Sequence, residues 1–295
     1  MKKISQPIVF FGTEAFSACN LRALHDAEIT VDLIITKPDS ARGRNLKKYS
    51  PEVKQLAEEY RIDCLQPHHI DEIIPFVQKL EDPIGVLVSY GKIIPRHIID
   101  LFPQGIINVH PSLLPKYRGP SPIESAILHG DSQTGVSIMK IATDMDAGPI
   151  FYQTSLSLSG TETKPELYET LGKMGAEILV EILPRIISGE CKLQKQDDTA
   201  ATYCKLLSKK DSELNPATMS AEYMERHVRA FLGFPRSRLT IHEQNCIILK
   251  AHASSHLAPR KLSIPANDGG YLIIEELMTP HGKTMSGEAF LRGYA

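Results

Sequence analysis

Short apolar runs alternate along the first two thirds of the chain with stretches whose apolar residues recur every three or four positions. Residues 8–11 (IVFF) form a continuous apolar run closed by Gly12, and Ala15, Ala18 and Leu21 to Leu24 then fall on one side of a helix. This predicts a buried strand, a tight turn and a helix. The pattern recurs, with strands expected at 31–36, 84–90, from Ile106, at 135–141 and at 150–158. Helices are expected after Ser50, read as a cap with Pro51 in the first helical position, and at 71–80, 93–101, 122–128 and 163–187. In the last of these, Leu167, Leu171, Met174, Ile178 and Ile182 mark one face. Alternating strands and helices predict an α/β fold, a Rossmann-like, mostly parallel sheet with ligands at the carboxyl ends of its strands.

The pattern then changes. Residues 190–203 lose all periodicity, and beyond them one helix (221–231) is followed by short β-like runs at 239–241, 246–251 and 271–277, separated by Gly, Pro and Asn. The expected organisation is an α/β domain over 1–189, a linker over 190–205 and a small OB-like β-barrel over 206–295. A length of 295 residues suits two domains.

Composition narrows the class. Five scattered cysteines without a CxxC spacing indicate neither a disulfide framework nor a zinc site, so a reducing cytoplasmic setting and no metal are expected. The apolar run near the N-terminus is too short for a secretion signal, and no stretch is long enough to span a membrane. The formal net charge of −2 is uninformative about nucleic acid, because a local patch can sit inside a neutral total. One such patch follows the second strand. The segment KPDSARGRNLKKYS carries Lys37, Arg42, Arg44, Lys47 and Lys48 against Asp39 alone, and reads as a basic, mobile loop suited to phosphate contact or merely solvated. The first turn, GTEAF, lacks the GxGxxG fingerprint of dinucleotide binding.

The densest chemistry lies in IINVHPSLLPKYRG, residues 106–119. Asn108 and His110 are two apart on a strand and share a face, and Pro111 and Pro115 stop any regular element from continuing. Taken alone, the pair also fits a strand-end cap beside a half-buried histidine. A later turn, ATDMDAGPI, adds Asp144 and Asp146 at another strand end. Amide, imidazole and carboxylate in one cleft are the parts for acyl transfer to an amine: two groups hold an oxyanion, and the third orients the imidazole and helps remove a proton. Ser112 lies between prolines rather than on a GxSxG elbow, which disfavours a serine hydrolase. His68 and His69 are adjacent, so their side chains diverge and suit a loop better than a metal.

NVHPSLLPKYRG, then SPIESA, then TGVSIMKIATDMDAGPI together resemble the signature of the folate-dependent formyltransferases, whose Asn, His and Asp fall on Asn108, His110 and Asp146. The opening IVFFGTEAF, the strand-end SYGKIIP, the basic TKPDSARGR and the closing GKTMSGEAFLRGY resemble the methionyl-tRNA formyltransferase family over essentially the whole chain. The resemblance implies formyl transfer from 10-formyltetrahydrofolate to the α-amino group of methionine on initiator methionyl-tRNA, by a cytoplasmic monomer. It implies that Pro111, Ser112, Leu113, Leu114 and Pro115, with Tyr90 and Gly91, line the folate pocket. It implies that Arg42, Gly43, Arg44, Lys47 and Lys48 contact tRNA, and that Asp144 is a turn residue. Ala41, Arg42 and Asn45 depart from the family pattern in the basic loop. A small-amine formyltransferase, a 10-formyltetrahydrofolate hydrolase and a non-catalytic binding module are the competing expectations.

Overall fold

The computed structural model describes residues 5–42 and 47–294. Its first unit comprises Met1–Pro120, Gly135–Leu156 and Tyr168–Tyr203. The elements begin with β1 (Ile8–Gly12), α1 (Ala15–Asp26) and β2 (Leu33–Ile35), and every residue of β1 and β2 is buried. Burial on both faces is why these strands read as unbroken apolar runs instead of alternating ones. Gly12 lets the helix start close to the strand: a Cβ there would meet the Phe10 ring and Ser17 Cβ at 2.7 Å. Ser17 uses that closeness, its hydroxyl accepting from the Thr13 N–H at 3.1 Å.

The basic loop is described in two parts, residues 37–42 and 47–50. Its described parts form an antiparallel pair, β3 (Ser40–Arg42) and β4 (Lys47–Tyr49), with Ser40 opposite Tyr49 and Arg42 opposite Lys47. The two segments are paired through the backbone, and their sequence carries no apolar alternation to mark them. α2 (Glu52–Tyr60) starts one residue later than expected, with Pro51 at the cap position. The Ser50 hydroxyl is diverted to Asp39, to which it donates at 3.1 Å, and the Lys54 ammonium binds the same carboxylate at 3.0 Å. After β5 (Cys64–Leu65), the helix expected at 71–80 divides into a 3-10 turn, Ile70–Ile73, and α3 (Ile74–Val77), because Pro75 lacks the N–H needed to continue one helix and suits the first turn of another.

β6 (Ile84–Val88), α4 (Arg96–Ile99), β7 (Ile106–His110), α5 (Pro122–His129), β8 (Gln133–Lys140), β9 (Ile150–Ser157) and α6 (Lys164–Ile187) follow. The sheet order is β5-β2-β1-β6-β7-β8-β9, parallel through β7, with β8 antiparallel to β7. One core cluster, built on Val9, Phe11, Ile35, Tyr90, Ile98 and Phe102, fills a face of this sheet. The stretch read as a linker is tied to the first unit through Tyr203. Gln194 bridges to Ile150, Tyr203 bridges to Arg118, and Asp198–Ala200 forms a 3-10 turn between them.

The second unit comprises Ser121–Thr134, Ser157–Leu167 and Cys204–Ala295. α7 (Ala221–Ala230) is capped by Ser220, whose side chain accepts from the Tyr223 N–H. Then come β10 (Ser237–Ile241), β11 (Gln244–Ser254), β12 (Leu262–Pro265), β13 (Tyr271–Met278), β14 (Thr284–Ser286) and α8 (Gly287–Tyr294). The five strands form one antiparallel sheet in the order β10-β11-β13-β12, with β14 also on β13. Register shifts in β11 between Ile248 and Ala251 help curl it into a half-barrel, since bulges bend the strand that carries them. Met224 and Val228 of α7 and Phe290 of α8 pack with Leu239, Ile248 and Leu277 from the strands.

Candidate active site

β7 delivers two polar side chains to a buried position at its carboxyl end. Asn108 and His110 are each 5% exposed, while Val109 between them faces the other way, toward Gly175 of α6. The turn between β8 and β9 brings Asp146 to the same place. His110 Nδ1 lies 3.7 Å from Asp146 Oδ2, and Asn108 Nδ2 donates to Asp146 Oδ1 over a long 3.4 Å.

The other contacts of the three residues fix their roles. His110 Nε2 is 3.0 Å from the Tyr117 carbonyl, which can only accept, so Nε2 carries a proton. Nδ1 is therefore the nitrogen left to exchange a proton or a hydrogen bond with a ligand, and any proton it takes up sits beside the Asp146 carboxylate. Asp146 Oδ2 is anchored by the Gly119 N–H at 2.8 Å. Asn108 has only the stretched bond to Asp146, so its amide donor turns to a ligand oxygen at little cost. The group is able to stabilise negative charge on an acyl oxygen and to accept a proton nearby.

Ser112 takes no part in this chemistry. Its hydroxyl donates to the Lys116 carbonyl at 2.7 Å, closing a turn. Asp144 is exposed, and so is Met145, at 52%. Along the loop after His110, Pro111, Leu113 and Pro115 keep surface at the solvent, whereas Ser112 and Leu114 are buried. Ser137 holds the loop from beneath, its hydroxyl donating to the Ser112 carbonyl at 2.6 Å and accepting from the Leu114 N–H at 3.1 Å. Gly91 is exposed, with φ of 69°, but the Tyr90 side chain is fully buried against Phe11. Of that pair, only Gly91 offers surface to a ligand. Arg42, Lys47 and Lys48 lie on the β3/β4 hairpin, while Gly43 and Arg44 fall outside the described residues.

Two further residues reach the site that the sequence pattern does not single out. Arg118, 2% exposed, and Gln196, 5% exposed, form a hydrogen-bonded pair behind Asp146. Gln196 sits in a stretch whose polar composition resembles that of any linker, so only its contacts give it away. Among the described residues no cluster of His, Cys, Asp and Glu is arranged to hold a metal ion, and no helix is long and apolar enough to cross a membrane.

Known proteins resemble this chain over most of its length. A family described as formyl transferase matches residues 6–183, and one described as formyl transferase, C-terminal domain, matches residues 206–295. A methionyl-tRNA formyltransferase of Chloroflexus aggregans is 37% identical over 230 residues, covering 77% of this chain and 74% of that protein. Another, of Janthinobacterium sp. (strain Marseille), is 34% identical over 311 aligned positions and covers 97% of each chain. Among solved structures, an N-formyltransferase from Helicobacter canadensis, in complex with folinic acid and dTDP-3-aminofucose, superposes with a TM-score of 0.70 at 17% identity. It covers 91% of this chain and 98% of its own, a likeness of fold.

Proposed function

This chain belongs to the methionyl-tRNA formyltransferase family, and from that premise we propose how its site carries out the reaction. The protein is an enzyme that transfers a formyl group to the α-amino group of methionine on methionyl-tRNA. The donor is a folate, taken as 10-formyltetrahydrofolate, and the acceptor is the initiator tRNA, bound by a cytoplasmic monomer. The observation that carries the reading is the meeting of buried Asn108 and His110 with half-buried Asp146, with Nδ1 of the imidazole turned toward the carboxylate.

The donor supplies an activated formyl carbon, and the residues present fit it. Asn108 Nδ2 donates to the formyl oxygen as negative charge develops there, and His110 Nδ1, once protonated, is a second donor to it. The amine attacks the formyl carbon, the bond from that carbon to the folate nitrogen breaks, and the proton lost by the amine is balanced by one taken up at that nitrogen. Asp146 stabilises the imidazolium and takes part in moving the proton. An ordinary α-amino group has a pKa of about 8, so much of the acceptor is already nucleophilic and no enzyme nucleophile is needed. Pro111, Leu113, Pro115 and Gly91 form the apolar rim of the folate pocket, and Ser112, Leu114 and Tyr90 support it from behind. Arg42, Gly43, Arg44, Lys47 and Lys48 contact the tRNA backbone, and the domain over 206–295 supplies further phosphate contacts.

The test is formyl transfer from 10-formyltetrahydrofolate to methionyl initiator tRNA, beside a free small amine and a water-only blank. Transfer is expected with the charged tRNA only, and His110→Ala is expected to lower kcat on the order of a hundredfold or more. Formate released in the blank, or transfer to the small amine, would move the acceptor to water or to that amine. Full activity of the alanine variant would remove His110 from the mechanism.

A further inference from the structure

Gln196 lies between the two family-matched regions, in a stretch with no strand or α-helix of its own, yet its side chain is almost wholly buried. Every hydrogen-bonding position of its amide is used. The oxygen accepts from Arg118 Nε at 3.0 Å and Arg118 Nη2 at 2.9 Å, and the nitrogen donates to the carbonyls of Asp146 at 2.8 Å and Gly148 at 2.7 Å. A guanidinium cannot accept and a carbonyl cannot donate, so the amide has one orientation only.

The Arg118–Gly119 dipeptide thus grips Asp146 twice. Gly119 holds the carboxylate directly through its N–H. Arg118 holds the Asp146 backbone through Gln196, and is itself fixed by Asp198 at 2.7 Å and the Tyr203 hydroxyl at 3.2 Å. The second grip has a task, because Asp146 sits at φ of 49°, a left-handed conformation that costs energy outside glycine. Gly148 lets the turn close: a Cβ there would lie 1.8 Å from the Lys140 carbonyl oxygen.

We propose that Gln196, braced by Arg118, is a positioning residue for formyl transfer, clamping the turn that carries Asp146 so that its carboxylate stays against His110 Nδ1. The inference rests on the assignment of Asp146 to the site. Gln196 touches neither substrate and acts through Asp146 alone.

A purely structural amide would also lower stability when removed, so the test needs a readout that stability does not move. In the full chain, formyl transfer is measured for Gln196→Ala, Gln196→Glu, Asp146→Asn and the Gln196→Ala/Asp146→Asn pair, with thermal melts confirming folding at the assay temperature. Asn tolerates the left-handed conformation, so Asp146→Asn removes the charge and keeps the turn. Gln196→Ala is expected to lower kcat by about tenfold to a hundredfold, the range for a misplaced reacting group, with KM for methionyl-tRNA unchanged. The double variant is expected to be no slower than Asp146→Asn alone, because a residue acting only through Asp146 has nothing left to position. Gln196→Glu keeps its acceptor toward Arg118 but turns a carboxylate oxygen on two carbonyls, and is expected to fold and be slow. Losses that multiply in the double variant, or normal kcat in Gln196→Ala where Asp146→Asn is slow, would overturn the proposal and leave the site assignment standing. Normal kcat in Asp146→Asn would overturn the site assignment and the proposal together.

Discussion

Tyr90 carries a hydroxyl into the core of the first unit, where its oxygen has no hydrogen-bond partner among the described residues. Its ring packs edge-on against Phe11, with centroids 5.7 Å apart, and burial pushes the phenol pKa up to about 12. A buried hydroxyl without a partner costs about 1 to 3 kcal/mol, whereas the ring itself contributes apolar packing. Tyr90→Phe is therefore expected to raise stability by about 1 kcal/mol, read as a higher urea midpoint at unchanged slope. A lower midpoint would mean that the hydroxyl has a partner after all. Asp146 is the opposite case, a residue whose left-handed backbone at φ of 49° is braced by hydrogen bonds to its carboxylate and its carbonyl.

α7 shows how an element joins packing to protonation. His227 lies on its buried face, with Nε2 donating to the Asp211 carbonyl at 3.0 Å and Nδ1 2.7 Å from the Ser237 hydroxyl. Burial holds its pKa down to about 4, against the hydrogen bond to the Asp211 carbonyl and the charge of Asp211, which favour the charged form. The unfolded chain takes up this proton at about pH 6.5, the folded chain only at about 4, so stability is full above 6.5 and falls as pH drops through that window. Between pH 7.5 and 5 the loss from this residue is about 2 kcal/mol. Urea unfolding at both pH values should show it, and His227→Gln, less stable throughout, should show a correspondingly smaller difference.

Elements with one apolar face or a fully apolar run were legible in the sequence: β1, β6, β7 and α6 follow from pattern alone. The β3/β4 pair, β12 and β14 were not, because they are short and held by pairing that periodicity does not encode, nor was α8, a helix of 8 residues packed through Phe290. Asn108 and His110 stand out in the sequence as polar residues ending an apolar strand, whereas Asp146 is picked over Asp144 by the family resemblance; the structure brings the three side chains together. Gln196 was not, since its surroundings are as polar as it is and its partner Arg118 is 78 residues away.

The whole chain carries a formal net charge of −2, which gives no long-range attraction for a polyanion. Attraction to tRNA must come from local patches, among which the β3/β4 hairpin is the densest in the sequence. Neutralising Arg42, Lys47 and Lys48 with Gln is expected to raise KM for methionyl-tRNA. The same change should flatten its salt dependence by about 0.7 to 0.9 log units per decade of salt for each phosphate that is no longer neutralised. kcat at saturating tRNA should be unaffected. An unchanged salt slope would place the tRNA-binding surface elsewhere.

The Arg118–Gln196–Asp146 clamp also has a consequence in time. Synthesis runs from the N-terminus, so Asn108, His110 and Asp146 leave the ribosome well before the amide that holds their geometry. The strands of the first unit are complete once β9 has emerged, but Gln196 and Tyr203 arrive about forty to fifty residues later in the same chain. Until then the growing polypeptide bears every reacting group and lacks the brace for one of them. On the proposal above, full competence for formyl transfer waits until translation of the first unit is finished, in an enzyme whose product serves translation itself.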